Sequence, residues 1–162
     1  MNSRTEELYL EGENAIKNGN ILEAKQHYET ILLDDPQCCY AHNSLGWIYK
    51  TQFDDYKKAE NHFKAAIKFG PAYPHAYYNL MYLLTELERF EELDHFLKGC
   101  LQIPVLDKSL VHNRLGVLEE MKENFSQAIN YYKRAIKCCL IDDKIEDIKK
   151  HIARCEYKLE ME

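Results

Sequence analysis

The sequence is short of turn formers: six Gly and four Pro in 162 residues, where average usage gives roughly eleven and eight. A sandwich or barrel needs many tight turns, so this scarcity argues against one. No run of Val, Ile and Thr occurs, which argues against strands alternating with helices. No stretch approaches 18 consecutive apolar residues, so no transmembrane helix is expected. Residues 1–13 are polar and acidic and lack the apolar core of a secretory signal. A Gly-rich phosphate loop, His-Glu-x-x-His and Gly-x-Ser-x-Gly are also missing, and no enzyme is expected. The composition, 46% hydrophobic and 30% charged, fits a folded, soluble, mostly helical protein rather than a disordered one.

The formal charge is −6, so neither nucleic acid nor an anionic membrane is an expected partner. The charge is unevenly spread. Residues 5–38 carry eight acids against two lysines, and residues 39–73 carry five lysines against three acids. The acids of 5–38 read first as a solvated face, and second as a means of steering a basic partner. Six Cys, none in a Cys-x-x-Cys pair, read as reduced thiols filling apolar space in a cytoplasmic protein. His42 follows Cys38 and Cys39, and His151 precedes Cys155, but neither set supplies the four ligands of a structural zinc. No metal or cofactor is expected.

What the chain does have is a period. Gly12, Gly46 and Gly116 are separated by 34 and 70 residues, and half of the second gap falls on Met81. Ala24, Ala59, Leu93 and Ala128 follow twelve or thirteen residues later. Tyr28, Phe63, Leu97 and Tyr132 come four further on, then Ile31, Ala66, Cys100 and Ala135. Pro36 and Pro71 close the first two units. Self-similarity at this period indicates stacked helical hairpins, each too small to bury its own face. The register gains one residue around Phe53–Tyr56 and another around Ile103–Lys108.

This order of small residue, Ala, aromatic, small residue and Pro resembles the tetratricopeptide repeat. The resemblance implies a single all-α domain, a right-handed α-solenoid of four antiparallel hairpins with about nine helices in all. The repeats are placed at 5–38, 39–73, 74–108 and 109–142, with a closing helix over 143–162. Each hairpin has a first helix A and a second helix B. A glycine inside helix A costs about 1 kcal/mol relative to Ala, so its recurrence needs a packing reason. The expected reason is close crossing by helix B over the matching alanines, with Tyr28, Phe63, Leu97 and Tyr132 filling the gap to the next repeat. Leu8, His42, Tyr77 and His112 share one position and read as packing residues. Ser3-x-x-Glu6 reads as a capping box. Ile145, Ile148, Ile152, Cys155 and Leu159 make one apolar stripe on the closing helix, and Asp147, Lys150, Arg154 and Lys158 fall off it.

In that family the A helices line a concave groove. The positions facing it here include Tyr9 and Glu13 in the first repeat and Tyr40, Asn43 and Trp47 in the second. The third supplies His75, Tyr78, Asn79 and Tyr82, and the fourth Asn113, Arg114 and Val117. Amides that both donate and accept, among aromatic faces, suit a peptide segment of a partner protein. Against the Lys-Asn-Asn-Lys-Arg clamp of family members that bind a chaperone C-terminus, only Asn79 and Arg114 match. That clamp is therefore not expected. Arg114 is expected either to pair with an acid such as Glu120 or Glu86, or to meet an acidic group of a ligand. The function this implies is an adaptor or scaffold, monomeric, holding a partner peptide. The alternative is a structural protein that self-associates through a convex or end surface.

Overall fold

The computed structural model describes residues 3–161. Among these are nine α-helices and no strand. They are α1 (Ser3–Lys17), α2 (Ile21–Asp34), α3 (Cys39–Gln52), α4 (Tyr56–Phe69), α5 (Pro74–Glu86), α6 (Phe90–Cys100), α7 (Lys108–Met121), α8 (Phe125–Cys138) and α9 (Asp142–Leu159). The chain divides into two compact units, one through Leu83 and one from Leu84. In the first, α1 packs with α2 and α3 with α4, and α2 packs on α3. In the second, α7 packs with α8, α9 packs on α8, and α6 packs on α7. Ser3 already lies inside α1, and the residue before it is outside the described residues, so the capping box expected at Ser3 is not seen as one.

The scarce turn formers have fixed tasks. Pro36, Pro71 and Pro104 each follow the first residue of a turn closed by a backbone bond from the fourth residue to the first. These bonds run from Cys38 to Asp35, Tyr73 to Gly70 and Leu106 to Ile103, at 3.1, 2.9 and 3.3 Å. Proline fits there because its fixed φ suits the second position of such a turn. The fourth proline, Pro74, is the first residue of α5, where its missing N–H costs nothing.

The hairpin turns repeat as well. Gly19, Asp54, Glu88 and Glu123 are the described residues with left-handed φ, at 79°, 51°, 52° and 63°. In three of them the next residue's N–H reaches five residues back, Asn20 to Ala15, Arg89 to Leu84 and Asn124 to Glu119. The left-handed residue itself bonds three back, as in a Schellman helix end. In the remaining turn Asp55 N–H reaches Tyr49 O, six residues back. The extra residue of that repeat therefore sits at the end of α3, where the sequence spacing placed it. The second extra stretch corresponds to an early end of α6, which has 11 residues against 14 in α2, α4 and α8. Lys108 Nζ donates to the carbonyls of Cys100 and Ile103 at 3.3 and 2.5 Å, tying down the longer loop that results.

The recurrent glycines act differently from the expectation. A Cβ on Gly12 would lie 2.7 Å from the Tyr28 ring, one on Gly46 2.6 Å from Phe63, and one on Gly116 2.5 Å from Tyr132. Each glycine makes room for the fully buried ring of its own hairpin, so the ring lies over the glycine rather than only between repeats. At Gly46 the partner backbone is also close, with Ala59 O at 3.2 Å. The repeat with Met81 for glycine also has Leu97 for the ring, so bulk on one side is matched by its reduction on the other. His42 and Tyr77 do more than pack. His42 Nε2 lies 3.0 Å from Pro36 O, and Tyr77 Oη donates to Pro71 O at 3.1 Å. The same position thus ties helix A to the turn before it.

Candidate functional site

The site is built in the first unit from α1, α3, the 70–73 turn and the start of α5. Tyr9 and Glu13 lie on one face of α1, four residues apart. Asn43, Ser44 and Trp47 come from α3, Tyr73 from the turn, and His75 and Asn79 from α5. With Ile16 and Tyr28 they line a cavity of about 310 Å³. Six of the twelve sequence-predicted groove residues therefore meet here: Tyr9, Glu13, Asn43, Trp47, His75 and Asn79.

The rings form a connected wall. Tyr9 lies 5.7 Å from Tyr28 and 6.2 Å from Tyr40, and Tyr40 lies 4.8 Å edge-on to Tyr73, measured between ring centres. His75 lies 5.4 Å from Tyr73 and 6.4 Å from Tyr78. Trp47, the single tryptophan, remains 37% exposed. Tyr40 and Tyr82 are also exposed.

The polar groups divide into two sets. Asn79 Nδ2 donates to Asn43 Oδ1 at 2.8 Å, and Asn43 Nδ2 donates to the Tyr73 hydroxyl at 3.4 Å. Asn43 is only 9% exposed. Its amide orders the wall rather than facing a ligand, whereas Asn79 is half-buried and carries the more accessible amide. In the second set the Tyr28 hydroxyl donates to Glu13 Oε1 at 2.6 Å. Burial, then Glu13, holds the Tyr28 hydroxyl well above the usual tyrosine range. Burial likewise raises Tyr9 and Tyr73. These phenols therefore stay neutral hydrogen-bonding groups at ordinary pH.

Asn113, Arg114 and Val117 lie on α7 in the second unit. Val117 packs against the apolar cluster of α8 and α9 that contains Ile148 and Cys155, so it serves that core. Glu120, one of the two acids expected as partners for Arg114, is held by cations of α9. Its carboxylate accepts Arg154 Nε and Nη2 at 2.6 and 2.7 Å, Tyr132 Oη at 2.9 Å and Lys158 Nζ at 3.2 Å. Arg154, with Tyr132 and Lys158 behind it, draws the Glu120 carboxyl down to about 2. Arg154 and Lys158 lie off the apolar stripe of α9, and no helical spacing reveals that they converge on an acid of α7.

Tyr28 and Tyr73 are the site residues that sequence reasoning missed. Tyr28 reads as core because its ring is core, and only its hydroxyl reaches the cavity wall. Tyr73 falls in a loop, and its one signal is its place two residues after Pro71. The cysteines are all free, with Cys38, Cys100 and Cys155 buried. His42 Nδ1 meets His62 Nδ1 at 3.0 Å instead of a cysteine. Among the described residues no cluster of three metal-ligating side chains is present, and no helix is long and apolar enough to cross a membrane.

No family model matches the chain, and no curated protein matches it in sequence. Solved structures do match. PilF of Pseudomonas aeruginosa superposes with a TM-score of 0.79 at 21% identity, over 98% of this chain and 70% of that one. A double mutant of MamA gives 0.78 at 14% identity, over 99% and 87%. YrrB, a TPR protein with an unusual peptide-binding site, gives 0.70 at 16% identity, over 94% and 76%. The chain has the tetratricopeptide-repeat fold. At these identities the likeness extends to the fold, and the cavity of the first unit has to be read on its own chemistry.

Proposed function

We propose that this tetratricopeptide-fold chain is a non-catalytic interaction module, a cytoplasmic adaptor or scaffold that holds a peptide segment of a partner protein against its A helices. The single observation that carries the reading is the cavity between α1, α3 and α5, where ordered aromatic faces surround the Asn79 amide. Rigid rings give contact area at little entropic cost, and an amide can pair with a peptide backbone. The peptide-binding site of YrrB supports the same use of this fold. The reading takes the chain as one array of four repeats, at 5–38, 39–73, 74–108 and 109–142, with a closing helix.

The test is capture of synthetic peptides by the wild type and by an Asn79→Ala, Trp47→Ala variant. Asn43 is left intact because its loss strands Asn79 and Tyr73 inside the wall. Capture is expected to fall at least about tenfold while helical circular dichroism is unchanged. Undiminished capture moves the site elsewhere. The second reading, self-association through a convex surface, is favoured by one observation: Leu33 and Leu22 on α2 are 83% and 67% exposed. A constant monomer mass in sedimentation over a wide concentration range removes it.

A further inference from the structure

We infer that the cavity of the first unit takes the cationic side chain, arginine or lysine, of its partner peptide. This rests on the groove reading above and names the chemistry that the groove selects.

Four observations converge. First, the ten lining residues include one carboxylate, Glu13, and no Lys or Arg. Second, Glu13 accepts the Tyr28 hydroxyl on Oε1, and among the described residues no cation lies within ion-pair distance of it. A carboxylate can accept several further hydrogen bonds. Third, Tyr9, Tyr73 and Trp47 line the same space, and aromatic rings attract ammonium and guanidinium groups over their faces. At about 310 Å³ the cavity sits at the small end of ligand pockets, roughly 300–1,000 Å³, which suits one side chain with its backbone flanks. Fourth, the hairpin that supplies Glu13 is acidic, eight acids against two lysines over residues 5–38, so its field favours a basic segment.

The chain also contains a filled counterpart. In the second unit Tyr132 lies over Gly116 as Tyr28 lies over Gly12, and its hydroxyl likewise reaches a glutamate. There the next helix, α9, delivers Arg154 to that glutamate in two-point geometry. In the first unit the next A helix, α3, delivers Ser44 and Asn43 instead. Each tyrosine reaches a glutamate of its own hairpin's helix A, though Glu13 follows Gly12 by one residue and Glu120 follows Gly116 by four, and in the first unit the cation is left for a partner to bring.

The experiment selects a random heptapeptide library on the full chain. Peptides that bind are expected to be enriched in Arg or Lys at one position. Binding of a selected peptide is then followed through Trp47 fluorescence, against the same peptide with citrulline or Glu at that position. Citrulline keeps the shape and removes the charge, and is expected to bind about tenfold more weakly. Glu13→Gln keeps an acceptor for Tyr28 and is expected to remove the difference between arginine and citrulline. If selected peptides lack the basic position, or if citrulline binds equally well, the cation inference is overturned. The groove reading then still stands provided Asn79→Ala weakens binding. If no peptide is selected, both fall. The citrulline comparison needs no variant, so it decides the matter even if Glu13→Gln fails to fold.

Discussion

Tyr28 and Tyr132 lie over a glycine of their own hairpin, Gly12 and Gly116, and each gives its hydroxyl to a glutamate, Glu13 in the first unit and Glu120 in the second. The rings are equally buried and burial raises both hydroxyls. The glutamates then diverge. Glu120 has a side chain only 10% exposed and is held by Arg154 and Lys158. Glu13 borders a cavity and, among the described residues, pairs with no cation. The shared half of each arrangement is packing, dictated by a small residue facing a large one. The unshared half depends on which helix comes next, and it separates a carboxylate used for cohesion from one left facing a cavity.

The strongest test of the shared half is to put a methyl group under a ring. Gly46→Ala and Gly116→Ala drive a Cβ to 2.6 and 2.5 Å from rigid, fully buried rings. Overpacking of this kind costs about 1–3 kcal/mol, offset by up to about 1 kcal/mol of helix propensity. A net loss of about 1–2 kcal/mol is expected in denaturant unfolding. The third repeat supplies the remedy, with Met81 and Leu97 in place of the glycine and the ring. Adding Phe63→Leu to Gly46→Ala is therefore expected to cost less than the sum of the two changes, by about 0.5 kcal/mol or more. Strict additivity would show that ring and glycine do not share this space.

That pairing marks how far the sequence is legible. The 34- to 35-residue period, the A and B helices and the extra residue after Tyr49 are all readable, because each is a periodicity or a break in one. Position in a repeat does not say what lies opposite. Asn43 is expected to face a groove yet is committed to Asn79 and Tyr73, and Val117 is expected to do the same yet packs against the apolar cluster of α8 and α9. Arg154 and Glu120 are 34 residues apart on different helices, and only the packing of α9 on α8 brings them together. The fold is written in spacing. The site depends on side-chain reach, and a tyrosine can serve the core with its ring and the cavity with its hydroxyl.

The unshared half predicts unequal responses to neutralising the two glutamates. Glu120→Gln is expected to cost about 1–2 kcal/mol, less than the full pKa shift implies because Arg154 is 48% exposed. Glu13→Gln is expected to change stability by less than about 0.5 kcal/mol. The pH dependence carries the sign. Glu120 is drawn from about 4.5 down to about 2 by Arg154, so its contribution is present above pH 4.5 and is lost as pH falls toward 2. Unfolding midpoints measured over that range should fall more steeply in the wild type than in Glu120→Gln. Equal slopes would mean that the α9 clasp contributes nothing.

The first unit has its own acid-sensitive element in a higher window. His62 lies between His42, at 3.0 Å from its Nδ1, and the parallel ring of Tyr49. Burial, then the charge of His42, lowers its pKa from 6.5 to about 4. A histidine lowered in the folded state favours folding above its unfolded value and loses that contribution as pH falls from 6.5 toward 4. His62→Phe keeps the ring stacking and removes the titration. The wild type is expected to lose about 1 kcal/mol more than His62→Phe across this window, read as the difference in unfolding free energy at pH 7 and about pH 4.5. Glu120→Gln should leave that difference untouched.

The smallest effect concerns the turns, where glycine and glutamate hold one backbone state. Gly19 turns the first hairpin with φ +79° and no atom within 4 Å of where a Cβ would stand, whereas Glu88 and Glu123 hold φ +52° and +63° in the second unit. A left-handed φ costs a residue with a Cβ roughly 1 kcal/mol and costs glycine almost nothing. Glu88→Gly and Glu123→Gly are therefore expected to stabilise by about 0.5–1 kcal/mol, less whatever glycine gains in unfolded-chain entropy. Gly19→Ala, with open space around it, is expected to destabilise by a similar amount through φ alone. If Gly19→Ala is neutral, the turn relaxes out of the left-handed region, and the backbone bonds from Gly19 and Asn20 to Ile16 and Ala15 should lose their hydrogen-exchange protection with it.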